Sequence, residues 1–125
     1  MATTTAVLTL TSDMTSDSLS AAPTFNLTSN GTDGLTKTTG LAVDSYATGS
    51  ATIMYDKDDY TDGYLYIYIK NTDSTFTNYL QILIDAEEIG RLPGGAWCFL
   101  PWHGDSEFKV QPQNANSLIE HALYY

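Results

Sequence analysis

The strongest constraint on the fold is the stretch "GYLYIYIKN" at residues 63–71, in which aliphatic residues and tyrosines alternate. Successive side chains of a β-strand point to opposite faces, so a period of two predicts a strand. One face would carry Leu65, Ile67 and Ile69, and the other Tyr64, Tyr66 and Tyr68. Tyrosine buries ring area while keeping a polar tip, so the second face is expected to pack against something as well.

Shorter segments with the same alternation occupy much of the remaining chain and are separated by Gly, Asn, Asp and Ser. They include "ATIMYD", "NYLQILID", "AWCFLP", "EFKVQP" and "SLIEHALYY". This pattern predicts an all-β fold, an antiparallel β-sandwich or jelly-roll-like barrel of about 7–9 short strands with little or no helix. The spacing between the tyrosine strand and "NYLQILID" (78–85) suggests that these two strands pair antiparallel.

A chain of 125 residues is long enough for one domain with a buried core, and we predict a single β-sandwich domain over 1–125. Within it, residues 1–10 form an N-terminal strand or an arm that adds a strand to a neighbour. The polar, Gly-rich segment 28–40 is expected to be an exposed loop.

Charge narrows the choice of partners. The chain has fifteen acidic and five basic residues, a net charge of -10, so phosphate backbones and anionic lipid would repel it. We therefore expect neither nucleic acid nor a membrane as a partner.

A single cysteine excludes an internal disulfide, and the N-terminus lacks a signal-peptide pattern, which predicts synthesis in a cytoplasm. No cofactor is predicted.

An acidic cluster in "YDKDDYTDG" is a weak calcium candidate, since Ca²⁺ prefers six to eight oxygen ligands. The candidate ligands are Asp56, Asp58, Asp59 and Asp62. Their spacing does not match a known calcium loop, and a hairpin loop rich in Asp and Gly is the alternative.

The segment "LPGGAWCFLPWHGD" (92–105) concentrates rare residue types. Cys98, His103 and His121, with Asp105 nearby, are too few and too widely spaced for a typical zinc site. Cys98 with His103 or His121 as base is a formal nucleophilic pair, but a lone cysteine on a strand is more often a small apolar residue. A metal-dependent enzyme is therefore only the second alternative, below the structural and the carbohydrate- or receptor-binding functions considered next.

The tryptophans of this segment leave two alternatives open. Trp97, Trp102 and the tyrosine face could stack on sugar rings, as in carbohydrate-binding modules. Alternatively, Pro93-Gly94-Gly95 and Pro101 define two turns around one aromatic strand, and Trp102 plugs a corner of the core.

Several segments in chain order resemble the head-decoration proteins of tailed bacteriophages, especially marine phages. The segments are "TTTAVLTLTSDMTSDSLS", "GLTKTTGLA", "YLYIYIKNTDS", "LQILID", "IGRLPGGAWCFLPWHG" and "LIEHALYY". The resemblance implies a β-sandwich or jelly roll that binds the capsid surface of the virion as a homo-oligomer, often a trimer, without enzymatic activity. Its partners would be the major capsid protein or other virion proteins.

The leading hypothesis is thus a non-enzymatic capsid-decoration protein, and the alternative is a carbohydrate- or receptor-binding module on a phage fibre or tail. Aromatic residues with a polar tip suit a protein interface. The predicted interface residues are Tyr64, Tyr66, Tyr68, Trp102, Tyr124 and Tyr125.

Overall fold

The computed structural model describes residues 4–14, 19–27, 35, 37–60 and 63–125. The chain divides into two compact units, Met1–Thr36 and Lys37–Tyr125. The folding of residues 1–125 as one domain stays a prediction.

Most of the described residues of the first unit form an antiparallel β-ribbon. It consists of β1 (Thr5–Val7), β2 (Leu10–Ser12), β3 (Leu19–Ala21) and β4 (Thr24–Asn26). β1 pairs with β4 and β2 with β3. The two pairings share one register, and the Leu8 amide donates to the Pro23 carbonyl at 3.2 Å between them. The described part of 1–10 therefore lies in this ribbon, and its action as an arm stays a prediction.

The second unit contains, over residues 37–60 and 63–125, eight strands and one short 3₁₀ turn at Lys57–Asp59. The strands are β5 (Ala42–Tyr46), β6 (Thr52–Tyr55), β7 (Leu65–Asn71), β8 (Leu80–Ile84), β9 (Glu87–Leu92), β10 (Trp97–Trp102), β11 (Phe108–Pro112) and β12 (Ser117–Tyr124). All described pairings are antiparallel. The eight strands fall within the predicted range, and the ribbon adds four shorter ones.

These eight strands form two four-stranded sheets, ordered β10-β7-β12-β5 and β6-β11-β8-β9. The pairs are nested along the chain, β8 with β9, β7 with β10, β6 with β11 and β5 with β12. This nesting, folded over into two facing sheets, is the strand order of a jelly roll. The predicted all-β sandwich is therefore confirmed.

The core lies between the two sheets, and every one of their eight strands contributes to it. Its buried members are Tyr46, Tyr55, Leu65, Ile67, Ile69, Leu80, Ile82, Leu92, Trp102, Phe108, Val110, Ile119 and Leu123. The alternation of the tyrosine strand is confirmed, since its aliphatic face is buried in this core.

The predicted pairing of β7 with β8 is wrong. β7 pairs with β10 and β12, whereas β8 pairs with β9 and β11 in the other sheet. The reason is the connection 72–79, which crosses from one sheet to the other. Buried Asn71 holds the two ends of this connection together, because the side-chain amide of Asn71 donates to the Asn78 carbonyl at 2.8 Å. The same amide also donates to the Leu92 carbonyl at 3.1 Å.

The predicted loop 28–40 lies mostly outside the described residues. Of the described part, Leu35 is buried. Residues 37–39 run along the end of the chain, where the main chains of Lys37 and Tyr125 exchange two hydrogen bonds, at 2.7 and 3.0 Å.

Candidate functional site

The two outer faces of the sandwich differ in chemistry. On the β6-β11-β8-β9 sheet the outer side is mixed. Gln111 lies opposite Gln81 and Gln81 opposite Arg91, whereas Lys109 lies between the apolar Leu83 and Ile53. Gln81 donates to Glu88 at 2.6 Å, and Glu88 also pairs with Arg91. This sheet therefore presents hydrogen-bonded charged and polar groups to water, together with single exposed aliphatic side chains such as Ile53, and its four described strands carry no cluster of rings there.

The outer side of the β10-β7-β12-β5 sheet is aromatic instead. We call it the outer aromatic face, and it consists of Val43, Tyr66, Tyr68, Lys70, Trp97, Phe99, Pro101, Leu118, Glu120 and Tyr124, with Ser45 and the small Ala122 between them. Three of its apolar side chains stay more than half exposed, Trp97 at 52%, Val43 at 55% and Leu118 at 55%. Large apolar groups in one exposed area are a common sign of an interaction surface.

The rings at the centre of this face are ordered by one another. Tyr66 stacks on Phe99 with ring centroids 5.3 Å apart and an interplanar angle of 12°. Tyr124 meets the same Phe99 edge-on at 6.4 Å. These contacts between three neighbouring strands hold the rings in place before any partner arrives, which lowers the entropy lost on binding.

Lys70 and Glu120 are the only charged residues of the outer aromatic face, whose four strands are all described, and they lie opposite each other. The Tyr68 hydroxyl donates to Glu120 Oε1 at 2.8 Å. Burial and this bond raise the pKa of Tyr68 to about 12, so the phenol stays protonated. The face as a whole therefore carries no net charge.

The structure places three of the six predicted interface residues on this side of the sheet. Tyr66, Tyr68 and Tyr124 belong to the outer aromatic face. Tyr64 precedes β7 and is highly exposed. Sequence reasoning did not assign Trp97, Phe99, Val43 and Leu118 to the interface, although the alternation in "AWCFLP" already separates Trp97 and Phe99 from Cys98.

Trp102 and Tyr125 lie elsewhere. The Trp102 ring is only 5% exposed, and it packs against Tyr55, Tyr60 and Phe108. Its indole Nε1 donates to the Ser106 carbonyl at 3.0 Å, which satisfies the polar group at the corner. Tyr125 packs edge-on against Tyr60 at 5.2 Å. Of the two alternatives for Trp102, the structure shows the corner of the core.

An open groove lies where β7 begins and β10 ends. Its volume is about 680 Å³, and it is lined by Gly63, Tyr64, Leu65, Tyr66, Pro101, Trp102 and His103. At its rim, His103 Nδ1 lies 3.2 Å from Asp105 Oδ1, and both side chains are well exposed. The groove thus combines aromatic walls with the polar side chain of His103, which Asp105 contacts from outside the lining.

A hydrogen-bonded trio joins the two sheets inside the sandwich. His121 on β12 is 8% exposed. Its Nδ1 lies 2.7 Å from the Tyr55 hydroxyl on β6, and its Nε2 lies 2.8 Å from Asp44 Oδ2 on β5. Burial is the largest cause that raises the pKa of Tyr55, so this phenol stays protonated and its O–H is available to Nδ1 of His121. The order acid, imidazole, hydroxyl is formally that of a catalytic triad, but a buried protonated phenol supplies no nucleophile.

The structure does not bring Cys98 and the histidines together. Cys98 and His121 pair with Ile69 from opposite sides, so their Cα atoms are roughly 10 Å apart with Ile69 between them. Burial raises the pKa of the Cys98 thiol to about 11. His103 follows the end of β10, is exposed, and contacts Asp105.

The calcium candidates are only partly described, because Asp62 lies outside the described residues. The Asp56 side chain accepts from the Asp58 amide at 3.0 Å and begins the 3₁₀ turn, while Asp58 and Asp59 are exposed. Over the described ranges, no group of three or more His, Cys, Asp or Glu residues is arranged to hold a metal ion. In the same ranges, no helix has the length and apolar character to cross a membrane.

No family model matches the chain, and neither a curated protein nor a solved structure matches it.

Proposed function

We propose that this chain is a non-enzymatic structural protein of a phage virion, which binds and stabilises the capsid surface through the outer aromatic face. The resemblance to head-decoration proteins is the reason for proposing a phage capsid as the assembly that the chain binds. The observation that carries the proposal is an aromatic sheet face with no net charge in a chain of net charge -10.

The size of this face suits a contact that is repeated many times. Four strands about 4.8 Å apart and six residues at about 3.3 Å cover roughly 400 Å². A standard interface buries about 800 Å² on each partner, so the face provides the central half and needs a polar rim. Exposed Trp97 and preordered Tyr66 have the residue types that dominate binding energy at interface centres.

The internal chemistry supports a structural role as well. The imidazole of His121 is held between Asp44 and Tyr55, and the Cys98 thiol is protonated at neutral pH. His121 is buried, and Cys98 packs against the core of the sandwich. The clustered aromatic side chains at the surface lie on the outer aromatic face.

Rebinding to stripped particles tests the proposal. Purified virions from the source of the gene should contain the chain at a copy number comparable with the major capsid protein, and particles stripped of it should take it up again. Trp97→Ser should weaken this uptake at least about tenfold. Ile89→Ser is the matched control, since Ile89 is equally exposed at 52% but lies on β9 of the other sheet. Absence from virions, or equal uptake of the two variants, would refute the proposal.

A carbohydrate-binding function is the second candidate, and the open groove favours it. Tyr64 and Tyr66 could stack on a sugar ring, while His103 and Asp105 could bond its hydroxyl groups. A glycan should then change the tryptophan fluorescence, because Trp102 lines the groove. Tyr64→Ala should abolish that change and leave capsid binding intact, which separates the two functions.

A further inference from the structure

The first unit carries a strand edge without the usual protection. Natural edge strands are protected from pairing with other chains by Lys, Pro or charges on the strand. Residues 4–12 contain none of these, and the facing strand, 19–27, contains no charged residue. In a chain of net charge -10, the two strands are therefore free of charge, and the nearest described charge along the chain is Asp13, just beyond the end of β2.

The hydrogen bonds of the ribbon show which main-chain groups lie on this edge. The Leu8 amide donates to the Pro23 carbonyl at 3.2 Å, and the Thr4 carbonyl accepts from the Leu27 amide at 3.0 Å. Along an antiparallel strand, the main-chain N–H and C=O groups of alternate residues point to opposite sides of the strand. The even-numbered residues of 4–12 therefore face the second strand. The main-chain groups of Thr5, Val7, Thr9 and Thr11 point to the open edge, which has no strand partner among the described residues.

The two faces of the ribbon also differ. Cross-strand pairs place Ala6 beside Phe25 and Leu10 beside Ala21 on one face. Of these, Leu10 and Phe25 are exposed, at 47% and 52%. The opposite face carries mainly threonines. A two-stranded ribbon is only marginally stable in water, whereas three or more strands with an apolar face are stable.

We propose that the edge 4–12 pairs antiparallel with the same edge of a second copy of this chain. A twofold axis at Leu8 places Thr5 opposite Thr11 and Val7 opposite Thr9, with all their outward groups in bonding position. About eight main-chain hydrogen bonds would form. The two ribbons become one four-stranded sheet, and their apolar faces join into one.

The second copy is favoured over another partner because the edge is complementary to itself. Identical surfaces of an acidic protein repel each other unless they lack charge, and the edge 4–12 contains no charged residue. The contact is isologous and gives a dimer, in contrast to the trimer that the resemblance implies. It does not depend on the proposed function, since two copies could pair whether or not the outer aromatic face binds a capsid.

Sedimentation velocity and amide hydrogen exchange on the full chain test this pairing. The wild-type chain should sediment as a dimer, and the amides of Val7 and Thr9 should be protected from exchange to a degree that rises with protein concentration. Thr9→Lys places a charge on the open edge and should weaken dimerisation at least about tenfold. Thr24→Lys is the matched control, because Thr24 lies on the same face at the other edge, opposite Val7.

Four results would overturn the proposal. They are a wild-type monomer at all concentrations, a trimer by mass, a dimer with fast exchange at Val7 and Thr9, and equal effects of the two lysine variants. Far-ultraviolet circular dichroism checks that Thr9→Lys is folded. If it is not, Thr11→Lys replaces it, since Thr11 lies on the same edge. A dimer that fails to bind particles would leave the pairing intact and count only against the capsid proposal.

Discussion

The Tyr55 hydroxyl of one sheet lies 2.7 Å from Nδ1 of His121 in the other, inside the sandwich. The opposite ring nitrogen of His121 bonds Asp44 at 2.8 Å. Both contacts are satisfied with Tyr55 as donor to Nδ1 and Nε2–H as donor to the carboxylate. The bond holds the two sheets in register at one point of the core.

Tyr55→Phe should lower the free energy of unfolding by about 1–3 kcal/mol, because it leaves a buried acceptor on His121 without a partner. Urea denaturation measures this change. Tyr60→Phe is the control, since Tyr60 has ring contacts with Tyr55 and Trp102 and no described hydrogen bond of its hydroxyl. It should shift stability by less than about 0.5 kcal/mol. Equal effects of the two changes would show that the bond to His121 contributes nothing.

Gly94→Ala should destabilise the fold through a direct clash. A Cβ on Gly94 would lie 2.2 Å from the Thr75 carbonyl oxygen and 2.8 Å from that of Asp73. Both are main-chain atoms of the crossing 72–79, which must shift, and overpacking of this kind costs about 1–3 kcal/mol. Gly90→Ala is the control, since nothing lies within 4 Å of its Cβ position. Thermal unfolding of both variants checks the difference, and a stable Gly94→Ala would contradict the close approach.

Much of the fold could be predicted because it depends on local patterns. Leu65, Ile67 and Ile69 face the core as their alternation requires. The partners of each strand could not be predicted, since nested pairing joins distant segments, such as β5 and β12, that share no local signal. The meeting of Tyr55 and His121, 66 residues apart, has the same cause.

The candidate site was predicted in part for a similar reason. Period two correctly placed Tyr66 and Tyr68 on an outer face. It could not distinguish an exposed turn from a corner at Trp102, because Pro101 and Gly104 occur in both. The Ser106 carbonyl that accepts from the indole decides the matter, and only the folded chain brings it there.

Cys98 should become reactive only at high pH. Burial raises its pKa from 9.0 to about 11, so the thiol is protonated in the folded chain at pH values where an unfolded chain already ionises. The contribution of Cys98 to stability is therefore fully present below pH 9 and is lost as the pH rises toward 11. Alkylation rates of folded and urea-unfolded chain measure both titrations. Cys98→Ala should remove this part of the alkaline loss of stability, and a folded thiol that titrates near 9 would contradict it.

Tyr68 should titrate late for two reasons that can be separated. Its pKa is raised from 10.0 to about 12 by burial first and by the bond to Glu120 second. Glu120→Gln removes the carboxylate and should lower this pKa toward 10, as read from tyrosinate absorbance of the variant against a Tyr68→Phe background. Glu107→Gln is the control, because Glu107 pairs with Lys109 on the other sheet. No shift in Glu120→Gln would mean that burial alone sets the value.

Hydroxyl-radical footprinting of the protein, free and bound to its particle, tests the central claim most directly. The exposed rings of the outer aromatic face, Trp97 above all, should be oxidised in the free chain and protected on the particle. Ile89 on the opposite sheet, equally exposed in the free chain, should stay reactive in both. Protection of Ile89 with continued oxidation of Trp97 would contradict the assignment of the outer aromatic face as the contact surface.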